Sequence, residues 1–104
     1  MPTFVVISKH SPENCPIFNA KSKKAHLAYM GKLDAWSKKY GVKLLAAASV
    51  PNEHLSVAIY EAKSMEAFEK AGTEPEIMAL GAYSTLEIKT ALNMEETKKM
   101  LEET

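Results

Sequence analysis

Residues 42–61 read VKLLAAASVPNEHLSVAIYE, and the fold turns on how this stretch is read. Two apolar runs, Val42–Val50 and Leu55–Glu61, flank the polar segment Pro51-Asn52-Glu53-His54. The second run alternates and is rich in β-branched residues, which marks a strand. The first contains Ala46-Ala47-Ala48, and alanine favours helix. Its place between the turn signals Gly41 and Pro51 assigns it to strand instead. Four residues between two strands predict a hairpin, so the centre of the chain is an antiparallel pair.

Moving towards the N-terminus, residues 22–40 change to helical period. Tyr29, Leu33, Trp36 and Tyr40 fall on one stripe, lysines crowd the other side, and Gly41 supplies the stop. Before this helix, Thr3 to His10 (TFVVISKH) is a β-branched run stopped by Ser11-Pro12, followed by a polar loop to about Ala20. Moving the other way, Ser64 is placed to cap a short helix through about Ala71. Thr73-Glu74-Pro75-Glu76 has the form of a capping box opening a second helical piece. Tyr83 to Lys89 alternates as a fourth strand, and Asn93 caps a C-terminal helix with Glu95 and Glu96 in its first turn.

The resulting order is β-α-β-β-α-β with an extra C-terminal helix, a ferredoxin-like α+β fold in one domain over residues 1–104. Two right-handed split crossovers give an antiparallel sheet in the order 4-1-3-2, with helices on one face. Alternation assigns Val5, Ile7, Leu44, Leu55, Val57, Ile59, Leu86 and Ile88 to the helix-covered face. The other face then carries Phe4, Val6, Ser8, His10, Leu45, Ala47, Ser49, Ala58, Tyr60, Tyr83, Thr85 and Glu87. That set is too apolar to leave in water and too polar for a simple core. A second copy packed sheet to sheet would cover it and enclose a partly polar cavity; the C-terminal helix is the other way to cover part of it. A homodimer is therefore expected.

Composition narrows the partners. At 104 residues the chain has room for one core, and 46% apolar with 25% charged residues is globular composition. All 13 basic residues are lysines, balanced by 13 acidic ones. Without arginine for bidentate phosphate and guanine contacts, nucleic acid is not the expected partner. Lys21, Lys23 and Lys24 read as a solvated helix start. One cysteine excludes an internal disulfide, no apolar run reaches the roughly 20 residues of a membrane span, and no basic and apolar leader opens the chain. These features predict a cytoplasmic protein without a membrane partner.

The opening MPTFVVISKHSPEN, the later LSVAIYEAKSMEAFEKA and the closing LNMEE resemble the GYD-domain family, small prokaryotic proteins of the dimeric α/β-barrel superfamily. His10 to Pro16 is also similar to uncharacterised prokaryotic proteins whose first strand ends in His-x-Pro-Glu-Asn-Cys-Pro. The chain departs where the family takes its name, carrying Asn52-Glu53-His54-Leu55 before the third strand. The resemblance implies a dimeric α/β-barrel fold and no particular activity. Superfamily relatives include monooxygenases, isomerases, haem-handling enzymes and ligand sensors.

Chain direction gathers His10, Glu13, Cys15, His26, Glu53, His54 and Tyr83 at one end of the sheet. All three histidines and the only cysteine belong to this set. His10, Cys15, His26 and His54 have the chemistry of a transition-metal site, although their spacing matches no recognised motif. Cys15 with His10 or His26 is alternatively a nucleophilic or redox pair. The plain structural reading makes Cys15 a small buried hydrophobe, His26 a helix-face residue and His54 a turn residue. Glu87 is a candidate general base, read otherwise as a solvated strand glutamate. Phe4, Ser8, Tyr60 and Tyr83 are the candidate ligand-binding residues. Three functions follow: a small-molecule-binding module with a cavity in the dimer, a metal- or thiol-dependent enzyme, or a structural and interaction protein. The first needs the fewest coincidences. No phosphate-binding glycine loop, dinucleotide fingerprint or Ser-His-Asp pattern occurs.

Overall fold

The computed structural model describes residues 1–104. Its sheet holds Thr3–Lys9 (β1), Lys43–Val50 (β2), Leu55–Glu61 (β3) and Thr85–Ala91 (β4) in the order β2-β3-β1-β4, all pairs antiparallel. This is the expected 4-1-3-2 order read from the other edge. The central hairpin forms, its turn a single 3-10 turn over Pro51–Glu53 followed by His54 in the left-handed region. Between Leu44 and Ala46 the β2–β3 register slips, and Leu45 is the extra residue. A bulge is how an alanine-rich strand keeps pairing while bending.

Helical period holds over residues 20–40, but as two helices, Ala20–Met30 (α1) and Leu33–Tyr40 (α2), where one was expected. The break is at Gly31-Lys32, where Lys32 N–H bonds back only three residues to the Tyr29 carbonyl. Glycine there removes the side chain that would favour continuing the helix. The Asn19 side chain caps α1, and Gly41 ends α2 with φ of 69°. Ser64 caps Met65–Ala71 (α3) as read from sequence. The Thr73 capping box does not form. The Thr73 hydroxyl instead donates to the Lys70 carbonyl at the end of α3, and Glu74 becomes the N-cap of Pro75–Leu80 (α4). Asn93 and Glu96 do form a reciprocal capping box at the start of Met94–Glu102 (α5).

Register decides which face the helices cover, and it reverses the expected assignment for β1 and β3. Residues directly opposite in antiparallel strands share a face. Phe4 pairs with Tyr60 and Thr90, Val6 with Ala58 and Ile88, and Ser8 with Ser56 and Leu86. This is the helix side, because Phe4, Tyr60, Val42, Ala62 and Ala71 form the buried core, joined by Phe68 from α3. Two large aromatic rings bury more area than β-branched side chains, and that settles the orientation. Val5, Ile7, Leu55, Val57 and Ile59 therefore lie on the open face, whereas Leu44, Leu86 and Ile88 stay on the helix side as expected. Glu87 pairs with Ile7 and belongs to the open face, away from Tyr60.

The helices cover their side loosely. Only Phe4, Cys15, Trp36, Val42, Tyr60, Ala62, Ala71 and Leu80 among apolar residues are buried. The radius of gyration is 14.9 Å, against about 12.8 Å for a compact chain of this length. Helix α5 buries no residue, leaving Met94 and Leu101 in solvent. It covers no part of the sheet.

Candidate functional site

Between the sheet and the helices lies a cavity of about 400 Å³. Val6, Ala58 and Ile88 form its floor, and Leu27, Leu33 and Trp36 come from the helices above. Polar groups enter at two places. Near the middle, the hydroxyls of Tyr29 and Tyr60 hydrogen-bond each other across the cavity wall. Burial pushes the Tyr29 hydroxyl above the usual phenol range, keeping it neutral. Towards the hairpin end, Ser8, Ser56, His10, Cys15 and His26 line the opening.

That end is built by short-range constraints. The N–H of His10 donates to the carbonyl of His54 at 3.0 Å, which locks the two backbones together where β1 ends and β3 begins. His54 has φ of 54°, a conformation that costs a non-glycine residue about 1 kcal/mol or more. The two rings meet edge to face, with His10 Nε2 and His54 Nδ1 3.3 Å apart. Cys15 follows a 3-10 turn over Pro12–Asn14, and its carbonyl accepts from the N–H groups of Phe18 and Asn19. Ser22, fully buried, donates from its hydroxyl to the Asn14 carbonyl at 2.6 Å and so ties this loop to α1. The donor atoms of His10, Cys15 and His54 all lie within 4.8 Å of one another.

His26 stands one step out, its ring 6.4 Å from that of His10. Its Nδ1 lies 2.7 Å from the Ser22 carbonyl, which can only accept, so Nδ1 carries the hydrogen and Nε2 keeps a lone pair. Burial, and then the charges that His54 and His26 would carry, hold His10 below the usual imidazole range. A neutral imidazole is the form that binds metals.

The sequence-derived site residues separate into groups. His10, Cys15 and His54 come together with His26 alongside, and Ser8 and Tyr60 line the cavity. Phe4 is fully buried in the core and stacks on Phe68, so it supports the site from beneath. Tyr83 precedes β4 and lines a second, more open hollow that shares His10 with the cavity and includes Lys9, Ser11 and Ser84. Glu87 is corrected as a cavity base: its carboxylate pairs with Lys89 at 3.0 Å on the open face, and this partner lowers its pKa. Tyr29 and Trp36 fall on the core-facing stripe in sequence, yet they line the cavity. A phenol in the middle of an apolar stripe was the available signal, since a buried hydroxyl needs a partner.

No protein-family model matches the chain, and no curated protein matches its sequence. The GYD-domain resemblance thus gains no support from a family model. Solved structures do share the fold. One is a protein from Caulobacter crescentus CB15 assigned as an antibiotic biosynthesis monooxygenase, 19% identical, with a TM-score of 0.58, over 88% of this chain and 91% of that one. SnoaB, a cofactor-independent oxygenase from Streptomyces nogalater, is 19% identical with a TM-score of 0.54, over 88% and 90%. A further antibiotic biosynthesis monooxygenase is 14% identical with a TM-score of 0.55, over 88% and 99%. At these identities the likeness is one of architecture, and it agrees with the observed sheet order. The chain is a ferredoxin-like α+β protein of the architecture found in antibiotic biosynthesis monooxygenase structures.

Proposed function

We propose that this protein binds a small, largely apolar organic molecule in the cavity between its sheet and helices. The observation that carries the reading is the cavity itself. Its 400 Å³ lies within the roughly 300–1,000 Å³ of small-molecule sites, and its apolar walls carry a few grouped polar side chains. A planar ligand would sit against Trp36 and Val6, with a hydroxyl or carbonyl towards Tyr29, Tyr60 or Ser8. The sequence placed such a cavity between the sheets of a dimer; this one lies within one chain. SnoaB, with this fold, is a cofactor-independent oxygenase, so oxygenation is the reaction to assay once a ligand is known. The geometry here supports binding.

The same reading includes self-association through the open sheet face, the occupant being a second copy. The accessible surface is 7159 Å², against about 5,800 Å² for a compact monomer of this mass. The surplus exceeds the roughly 800 Å² that each partner buries in a standard interface. The open face, with Val5, Ile7, Val57 and Ile59, and the unpacked helix α5 supply apolar surface for it. No helix is long and apolar enough to cross a membrane.

Trp36 is the only tryptophan and lines the cavity, so its fluorescence reports binding directly. Titration with 1-naphthol and related small phenols is expected to quench it saturably. Ala58→Phe, which fills the floor, should abolish the quenching while leaving the far-ultraviolet circular dichroism unchanged. Equal quenching in the filled variant would place binding elsewhere and sink the reading.

A further inference from the structure

We propose that His10, Cys15 and His54 form a three-ligand site for a thiophilic transition-metal ion of the zinc class, its fourth position directed into the cavity. The first support is a distance. Tetrahedral zinc with Zn–N bonds of about 2.0–2.1 Å holds two imidazole nitrogens about 3.3–3.4 Å apart. His10 Nε2 and His54 Nδ1 already stand 3.3 Å apart. The Cys15 sulfur, within 4.8 Å of both, needs to close by at most about 1.2 Å to reach the roughly 3.6 Å that a tetrahedral nitrogen–sulfur pair requires.

The second support is the way the ligands are held. Two histidines come from the ends of neighbouring strands, joined by the His10–His54 backbone hydrogen bond. The cysteine comes from a loop that Ser22 and Asn19 tie to α1. The ligands are thus fixed by three separate elements, as a preorganised site requires. The left-handed backbone of His54 closes the hairpin turn, its N–H bonding back to the Pro51 carbonyl, and the same turn sets this side chain beside His10.

The third is chemistry. One thiolate and two imidazoles suit zinc or copper(I) far better than magnesium or calcium, which take oxygen ligands. Three protein ligands with an open fourth position is the arrangement of a catalytic centre, in contrast to a closed structural one. His10 and Cys15 both line the cavity, so the open position faces whatever molecule enters it. His26, its Nδ1 committed to the Ser22 carbonyl, stands beside the site with its ring 6.4 Å from that of His10, and its role is positioning. Binding forms two N–metal bonds and one S–metal bond and releases the thiol proton to solvent, with no change of oxidation state.

The proposal stands apart from the identity of the cavity ligand, and cobalt(II) tests it without one. Full-length protein, reduced and freed of metal with a chelator, is titrated with cobalt(II) and followed by absorption. The expected result is one cobalt per chain, with a near-ultraviolet thiolate-to-cobalt band, intense visible bands of four-coordinate cobalt, and displacement of both by zinc. A wild-type spectrum without the thiolate band overturns the proposal, and this arm needs no variant. Cys15→Ser should remove the band. His10→Gln and His54→Gln should each weaken binding at least about 100-fold, and His26→Gln about 10-fold. Wild-type affinity in any of the three ligand variants overturns it equally. Quenching of Trp36 by 1-naphthol in metal-free protein reads the cavity separately, so the two readings fail independently.

Discussion

The rings of Phe4 and Phe68 lie 4.3 Å apart and 13° from parallel, fastening α3 to the first strand of the sheet. Phe4 is fully buried, and Tyr60, its cross-strand partner, meets the edge of the same Phe68 ring. Phe4→Ala is therefore expected to destabilise the protein by about 3–5 kcal/mol, and Phe4→Leu by less. Urea unfolding monitored by Trp36 fluorescence measures both. A loss below about 1 kcal/mol for the alanine variant would show that the stack is not what holds the layers.

Glu74, at the start of α4, accepts hydrogen bonds from the Tyr40 hydroxyl and, at 3.2 Å, from Lys39 at the end of α2. The Tyr40 hydrogen bond first, and then Lys39, hold this carboxyl below the usual range. The folded state therefore binds a proton here less readily than the unfolded chain. Its contribution is complete above the unfolded value of about 4.3 and is lost as pH falls through the lower folded value. Glu74→Gln should be less stable than wild type at pH 7, with the gap closing below about pH 4. Thermal unfolding across pH 3–7 checks it; a gap that widens in acid would reverse the assigned sign.

Ile59 lies at the centre of the open face, opposite Val5 on one side and Ala46 on the other. Ile59→Lys places a charge where the proposed second copy would pack and should give a monomer where the wild type self-associates, with little loss of secondary structure. Light scattering coupled to gel filtration reads the mass. A wild-type protein that elutes as monomer at micromolar concentration would refute the association itself.

Cys15 is 2% exposed. Its reaction with a bulky aromatic disulfide reagent should be slow in the native protein and complete, at one thiol per chain, in urea. Added zinc should slow the native reaction further. A thiol that reacts at the rate of a free peptide cysteine would mean that the Pro12–Asn19 loop opens readily.

Much of the architecture was legible because it rests on local rules. Gly41 and Pro51 bracket β2, Ser64 and Asn93 cap helices, and the four-residue link at 51–54 permits only a hairpin. Strand order then followed from right-handed connections. The convergence of His10, Cys15 and His54 was readable for the same reason, since chain direction alone puts strand ends and loop starts at one edge. Thr73 shows the limit of such rules: its sequence fits a capping box, but the end of α3 claims its hydroxyl first.

The choice of faces belonged to the tertiary structure. Both faces of this sheet are apolar in sequence, with Val5, Ile7, Val57 and Ile59 on one and Phe4, Val6, Ala58 and Tyr60 on the other. Alternation divides the residues into two sets without saying which set meets the helices. That was decided by Phe68, whose ring stacks on Phe4, and by the area that two aromatic rings bury together. Glu87 changed its meaning through the β1–β4 register, which sets it opposite Ile7 and apart from Tyr60, from cavity base to surface partner of Lys89. The sequence by itself determined the elements, their order and the end at which the histidines meet. Only packing, which depends on shape across residues far apart in the chain, decided where the cavity lies.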